Sequence, residues 1–382
     1  MTILGIGLRN AWRNRVRAVL TTLGVAVAIL AFLFLRTILS AWTAAADHSA
    51  KDRLGTRHKV TFILPLPLRY SEQMKQVPGV VETCFANWFG GKNPKDDKSF
   101  FGSMAVQSKT FFSVFDELVI DDASKERWRS NRRGAVVGDM LAKKFGWKQG
   151  DRITLSGTIY PGDWEFDVDA IYTTSRRSID RSSFFFHWDY LNESPANPTR
   201  DQIGWITTRV SDPSQSASIS EKIDRLFGEQ EVQTLSMSER AMNMSFMGMM
   251  SAVLRAMDVV SVVILAIMAL ILGNTIAMGV RERTHEYGVL RAIGFLPKHL
   301  VAFILGEALI IGALGGALGI TLAYPFVEQA VGRFLEENMG AMFPYVRIAP
   351  GDASLAGALA VALAALVAAI PAYQASRLRP VD

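Results

Sequence analysis

Four long apolar blocks interrupt the chain, from Ala18 to about Ala46, Val259 to Val280, Leu300 to Val327 and Ala353 to about Ser376. A helix of about 20 apolar residues crosses the hydrocarbon core of a bilayer, so each block predicts a membrane span. Arg36 follows Arg17 by 19 residues, roughly 28 Å along a helix, and can snorkel to the far interface. The expected fold is a membrane protein with four transmembrane α-helices and a large α+β extracytoplasmic domain between helices 1 and 2. The predicted division is an N-terminal segment with the first span (1–46), an external domain with a stalk (47–245), the second span (246–280), a cytoplasmic connection (281–299), the third span (300–327), a short external loop (328–352), the fourth span (353–376) and a tail (377–382).

Within the polar stretch the period changes from helical to strand-like and back. Val60 to Leu64 predicts a strand ended by the Leu-Pro-Leu-Pro run, and Ser71 to Gln76 a short helix stopped by Pro78-Gly79. Ala135 to Val137 predicts a strand, Asp139 a cap for a helix from Met140 to Phe145, and Gly146 its end. Further strands are expected from Arg152 to Leu155, over the alternating Phe166 to Tyr172, and from Ile203 to Val210; Ser218 to Phe227 predicts a helix. Ser236 and Glu239 have capping-box spacing, which predicts a helix running unbroken into the second span. Met242, Met244, Met247, Met249 and Met250 make its external part adaptable, for packing on the extended first helix or, alternatively, for contact with greasy cargo.

Charge orients the spans. The total, 41 basic against 36 acidic residues for a net +5, is too mild to argue for nucleic acid. Its distribution is informative: Arg9, Arg13, Arg15 and Arg17 precede the first span, Arg281, Arg283, Arg291 and Lys298 separate the second and third, and Arg377 and Arg379 follow the fourth. By the positive-inside rule both termini and the 281–299 connection are cytoplasmic, and 47–245 is external. A cleaved secretory signal, with Ala44-Ala45-Ala46 as the processing site, is the alternative for the first block, but signal cores of about 7–15 residues are shorter than this run. With 49% hydrophobic residues so concentrated, disorder and a cytosolic multidomain enzyme are excluded, and the single Cys84 precludes an intrachain disulfide.

Catalytic chemistry is missing from the pattern. The five histidines form no H-E-x-x-H motif, and no G-x-S-x-G elbow, Walker A sequence or EF-hand loop occurs. Asp96-Asp97 and Asp121-Asp122 read as solvated turn residues. Glu307 and Asn274 are the polar residues of the spans that invite a role beyond packing. Glu307, eight residues past His299, is only about 12 Å into the third span, where snorkelling, pairing with a basic residue or a transport role remain open. Asn274 is expected to hydrogen-bond a neighbouring helix. Gly312 and Gly316, with Gly315 and Gly319, make two overlapping small-xxx-small patterns that predict close packing against another span or a partner.

Several motifs carry a resemblance. Leu8-Arg-Asn-Ala-Trp-Arg-Asn-Arg-Val-Arg-Ala-Val-Leu-Thr-Thr-Leu-Gly24, Val77-Pro-Gly-Val80, Val136-Val-Gly-Asp-Met-Leu-Ala-Lys-Lys-Phe-Gly-Trp-Lys-Gln-Gly-Asp151 and above all Arg281-Glu-Arg-Thr-His-Glu-Tyr-Gly-Val-Leu-Arg-Ala-Ile-Gly294 resemble the MacB/FtsX-like family of ABC transporter permeases, which includes LolC and LolE. Tyr287 stands where the family generally has isoleucine. The resemblance implies an amphipathic N-terminal segment, a periplasmic domain and a non-catalytic permease subunit of the bacterial inner membrane. It implies no cofactor on this chain, with ATP and Mg bound by a separate ABC ATPase subunit. Its partners would be that ATPase, a second permease copy or paralogue, membrane lipids, and a periplasmic adaptor or lipoprotein. ATP-driven motion would serve export or extraction of a lipid, lipoprotein, peptide or drug-like substrate; the alternatives are a membrane-anchored receptor or scaffold, or an FtsX-like regulator of a periplasmic enzyme. Location and motif together make 281–298 the expected ATPase-coupling element, with Arg281, Glu282, Arg283, Glu286 and Arg291 as polar contacts, Tyr287, Leu290 and Ile293 as apolar anchors, and Gly294 closing its helix.

Overall fold

A computed structural model describes residues 15–47, 49–96, 99–175, 179–248, 251–339, 343 and 345–377. Helix α1 (Arg15–Asp47) is followed by β1 (Arg53–His58), α2 (Arg69–Met74), β2 (Val80–Trp88), β3 (Ser103–Val106), α3 (Asp122–Ser130), β4 (Gly134–Gly138), α4 (Asp139–Phe145), β5 (Arg152–Gly157), β6 (Gly162–Thr174), β7 (Phe184–His187), β8 (Trp205–Val210), α5 (Ser216–Leu226), β9 (Thr234–Ser238) and α6 (Glu239–Gly248). The remainder is helical: α7 (Ser251–Glu282), α8 (Thr284–Ala292), α9 (Pro297–Ala323), a π-helical stretch Tyr324–Gly332, α10 (Arg333–Met339) and α11 (Pro350–Ser376). The chain divides into two units: the described parts of 1–40, 252–332 and 347–382, and those of 41–251 and 333–346.

The first unit is a helix bundle. Among the described residues four helical stretches are long and apolar enough to cross a membrane, Arg15–Trp42, Ala252–Glu282, Pro297–Glu337 and Pro350–Ser376. The third runs past the predicted Val327, because the chain stays helical through the π stretch and α10 where a loop is expected.

The second unit is built on a mixed sheet in the order β9-β1-β8-β2-β3-β7-β4-β6-β5, with β7 parallel to β3, β4 parallel to β6, and the other neighbours antiparallel. Alternation of side chains across a strand gives both faces a core. Ala135 and Val137 join Phe166, Phe184 and Phe186 on one side, while Val136 joins Phe111, Trp128 and Tyr172 on the other. Phe185, between two residues of the first cluster, faces the second and lies 4.8 Å from the Phe111 ring. This two-sided burial explains the uninterrupted apolar run in β4.

The expected strands at 135–137, 152–155 and 166–172 are present, and Ile203 to Val210 is split at Gly204 into a two-residue strand and β8. Three expectations fail for physical reasons. Val60 to Leu64 forms no strand; it is a bent loop, exposed at Val60, Ile63 and Leu64, and the strand precedes it in the polar Arg53–His58. Ser236 pairs in β9 with Thr56, so the helix cap is Ser238, whose hydroxyl accepts from the Ala241 amide at 3.2 Å; continuity into the span at 249–250 lies outside the described residues. Asp139 is the first residue of α4, with Gly138 as its cap, and its carboxylate receives Arg181. Of the methionines, Met242 lies against Gly55 of β1. Met249 and Met250, and the side chain of Met247, lie outside the described residues.

Strand β1 tolerates its charge because the partners are supplied from elsewhere. Buried Arg53 reaches both Glu117 oxygens at 2.6 and 2.7 Å, bonds Glu239 at the start of α6, and donates to the Val114 carbonyl at 3.1 Å. Burial works against its charge, yet the two carboxylates raise its pKa further, whereas burial pushes the Glu239 carboxyl up.

Candidate functional site

The residues of the 281–299 segment are held by the helices on either side. Arg283, at the start of α8, places its Nη1 2.9 Å from Oε2 of Glu307 in α9, with both side chains largely shielded. Of the three alternatives for Glu307, pairing with a basic residue is the observed one. Glu282, the last residue of α7, receives Arg17 of α1 through both carboxylate oxygens. One turn deeper, the Thr21 hydroxyl donates to that of Thr275 at 3.1 Å. Asn274 sits on the exposed side of α7, so its neighbour Thr275 makes the interhelical bond expected of it.

The end of α8 is specified by backbone geometry. Gly294 has φ 106°, a left-handed conformation that favours glycine. Its amide donates to the Arg291 carbonyl at 3.1 Å, and the Phe295 amide to the Leu290 carbonyl at 3.0 Å, the paired bonds of a Schellman cap. Two residues on, Pro297 opens α9 at a first-turn position, and His299 Nδ1 accepts from the Leu296 amide at 3.2 Å. Little freedom remains in this turn.

The apolar anchors divide differently from the expected set. Tyr287 is buried in the bundle core and Leu290 is half-buried against it; the side of α8 that faces the bundle takes them both. Ile293 is 71% exposed, and with it Val289, Phe295 and Leu296 present apolar surface. Those three were not singled out from sequence. Their signal was only their position between charged residues. Arg281, Glu282 and Glu286 are exposed, and Arg291 bonds the Phe295 carbonyl at 3.2 Å across the turn.

The glycine patterns belong to two faces of one helix. A Cβ on Gly312 would stand 2.7 Å from the Ala364 Cβ and one on Gly316 3.0 Å from that of Ala360, both on α11. On Gly315 it would stand 2.6 Å from Val25, and on Gly319 2.6 Å from the Ala26 carbonyl, both on α1. Helix α11 answers with Ala356, Ala360, Ala364, Ala368 and Ala372, a buried row at a spacing of four. Near the other end of the bundle, Asp352 in the first turn of α11 accepts Ser40 Oγ at 3.0 Å and lies 3.3 Å from Arg36 Nη2. Sequence reading gave Arg36 to the interface and did not find this acid.

Comparison with known proteins gives this arrangement relatives. Residues 18–226 match the family model of the MacB-like periplasmic core domain, and residues 259–380 that of the FtsX-like permease C-terminal region. An uncharacterized ABC transporter permease of Methanocaldococcus jannaschii is 22% identical over 85% of this chain and 84% of its own length. The macrolide export ATP-binding/permease protein MacB of Chromobacterium violaceum is 30% identical over 31% of this chain, a match spanning 18% of that protein. Among solved structures, the periplasmic region of MacB from Actinobacillus actinomycetemcomitans aligns with a TM-score of 0.37 at 11% identity, covering 51% of this chain and 92% of that one. With a periplasmic core model and a permease model matched in succession along 382 residues, the protein belongs to the MacB/FtsX-like family of ABC transporter permeases.

Proposed function

We propose that this permease couples ATP hydrolysis on a separate ABC ATPase subunit to conformational change in its 47–245 domain, and that α8 with the following turn is where the ATPase docks. The carrying observation is the contrast within that segment. Its base is tied to α1 and α9 through Glu282–Arg17 and Arg283–Glu307, while Val289, Ile293, Phe295 and Leu296 stay exposed at a tightly capped turn. A rigid, tethered element with an apolar tip passes a push on the tip to the spans that hold it. In this reading the termini and α8 are cytoplasmic, the membrane is the bacterial inner membrane, and ATP and Mg are bound by the partner. A second permease copy or paralogue completes the transporter. The cargo is a lipid, lipoprotein, peptide or drug-like molecule handled on the periplasmic side, with an adaptor or lipoprotein as a further partner.

The test is Val289→Ser with Ile293→Ser in one chain. Both side chains lie outside the bundle core, so insertion and folding should persist while ATPase co-purification falls or hydrolysis no longer follows transport. Unchanged association together with unchanged coupling would leave α8 as a topology signal only.

A further inference from the structure

The loop after β1 turns its apolar side chains outward. Val60 and Ile63 are 78% and 82% exposed, and Leu64 is exposed beside them. The loop is shaped by its own contacts: the Val60 amide donates to His58 Nδ1 at 3.1 Å, and the Ile63 amide to Thr61 Oγ1 at 3.3 Å. Phe62 lies under the Arg57 guanidinium, 4.4 Å from its ring centre, and meets Phe246 of α6 edge-on at 6.0 Å. Phe246 and Met244 are themselves exposed, so the apolar surface continues from the loop onto α6.

Two further observations select an occupant. Residues 57–69 contain no acidic side chain, and the exposed Lys59 stands immediately before the apolar tip. Phe246 precedes Ala252, where the second membrane-spanning helix begins, by six residues, a tether of at most about 21 Å when fully extended. An exposed apolar patch beside an exposed lysine, chained this close to a span, has the make-up of an interfacial anchor.

We propose that Val60, Ile63 and Leu64, with Met244 and Phe246, form a foothold that dips into the lipid leaflet on the domain's own side, with Lys59 at the anionic headgroups. The foothold gives the sheet domain a contact with lipid besides its chain connections. It rests on the membrane spans and not on the identity of the ATPase.

The full chain in nanodiscs containing phosphatidylglycerol tests it. On a Cys84→Ser background, nitroxide labels are placed through Val60→Cys, Ile63→Cys and Leu64→Cys, with the exposed Val119→Cys as the water-facing reference. Power saturation then compares oxygen, which concentrates in lipid, with a water-soluble nickel chelate. Oxygen access should exceed chelate access at 63 and at one or both of its labelled neighbours, and the order should reverse at 119. Chelate access dominating at all three loop positions overturns the proposal. Poor access to both reagents with spin–spin broadening between chains also overturns it, and assigns the patch to a second copy.

Discussion

The two glycine faces of α9 allow a controlled test of the bundle. Gly319→Ala would put a Cβ 2.6 Å from the Ala26 carbonyl oxygen and 2.8 Å from the Ile29 Cβ, against an ordinary carbon contact of about 3.5–4.0 Å. Helices α1 and α9 must part by several tenths of an ångström or more, and overpacking of that kind costs about 1–3 kcal/mol. The replacement also favours the helix by about 1 kcal/mol, which would mask part of the loss. Gly306→Ala removes the ambiguity, since it makes the same change in the same helix where a Cβ meets nothing within 4 Å. The propensity gain cancels between the two, so Gly319→Ala should be less stable than Gly306→Ala by about 1–3 kcal/mol. Unfolding in mixed SDS micelles measures the difference. On the other face, Gly312→Ala should be partly rescued by Ala364→Gly, which removes the atom at 2.7 Å but leaves the Ala360 carbonyl at 2.9 Å. Equal stability of the 306 and 319 variants would refute the close approach.

Arg53→Leu leaves Glu117 and Glu239 without their shared cation, so unfolding of the full chain should show a loss of about 3–5 kcal/mol that shrinks at low pH as Glu239 takes up a proton; a loss under about 1 kcal/mol contradicts the clamp. Asp169 is buried, its Oδ2 has no hydrogen-bond partner among the described residues, and desolvation pushes its carboxyl up to about 6. Its folded pKa thus lies above the unfolded value of about 3.9, so its stabilising contribution is complete below that value and is lost as pH rises through 6, by at most about 3 kcal/mol. Asp169→Asn should flatten the pH 4–7 stability profile, and an unchanged slope would exclude this carboxyl as its source. Arg283→Leu and Glu307→Leu should each destabilise the bundle, with the double variant better than the sum of the two by about 0.5–3 kcal/mol in a mutant cycle; additive losses would mean that the pair is not coupled.

What was legible in the sequence follows from which forces are local. Span length is set by bilayer thickness and was readable; the alternation from Phe166 to Tyr172 marked a strand, but a bulge where it pairs with β4 turns Tyr172 to the face opposite Phe166. Strand β1 was not, because Arg53, Thr56 and Arg57 are buried in it and Arg53 finds its carboxylates at positions 117 and 239. Val60 to Leu64 has strand composition, but among the described residues no strand pairs with it. The capping-box spacing at Ser236 lost to sheet pairing, with Ser238 three residues before Ala241 serving as the cap instead. At the coupling segment, Gly294 marked the end of α8 because its backbone preference is intrinsic. Which side chains the turn exposes depends on how α8 lies against the bundle, and this is why Tyr287 is buried while Val289 and Phe295 are exposed.

The central claim is that α8 and its turn dock a separate ATPase. A photo-crosslinking amino acid at position 293 in living cells, with the same residue at 119 as reference, tests it most directly. Mass spectrometry of the adduct from position 293 should identify a protein carrying a Walker A motif, with no such adduct from 119. Adducts at 119 with that ATPase, and none from 289, 293 or 296, would contradict both the docking site and the proposed orientation of the chain.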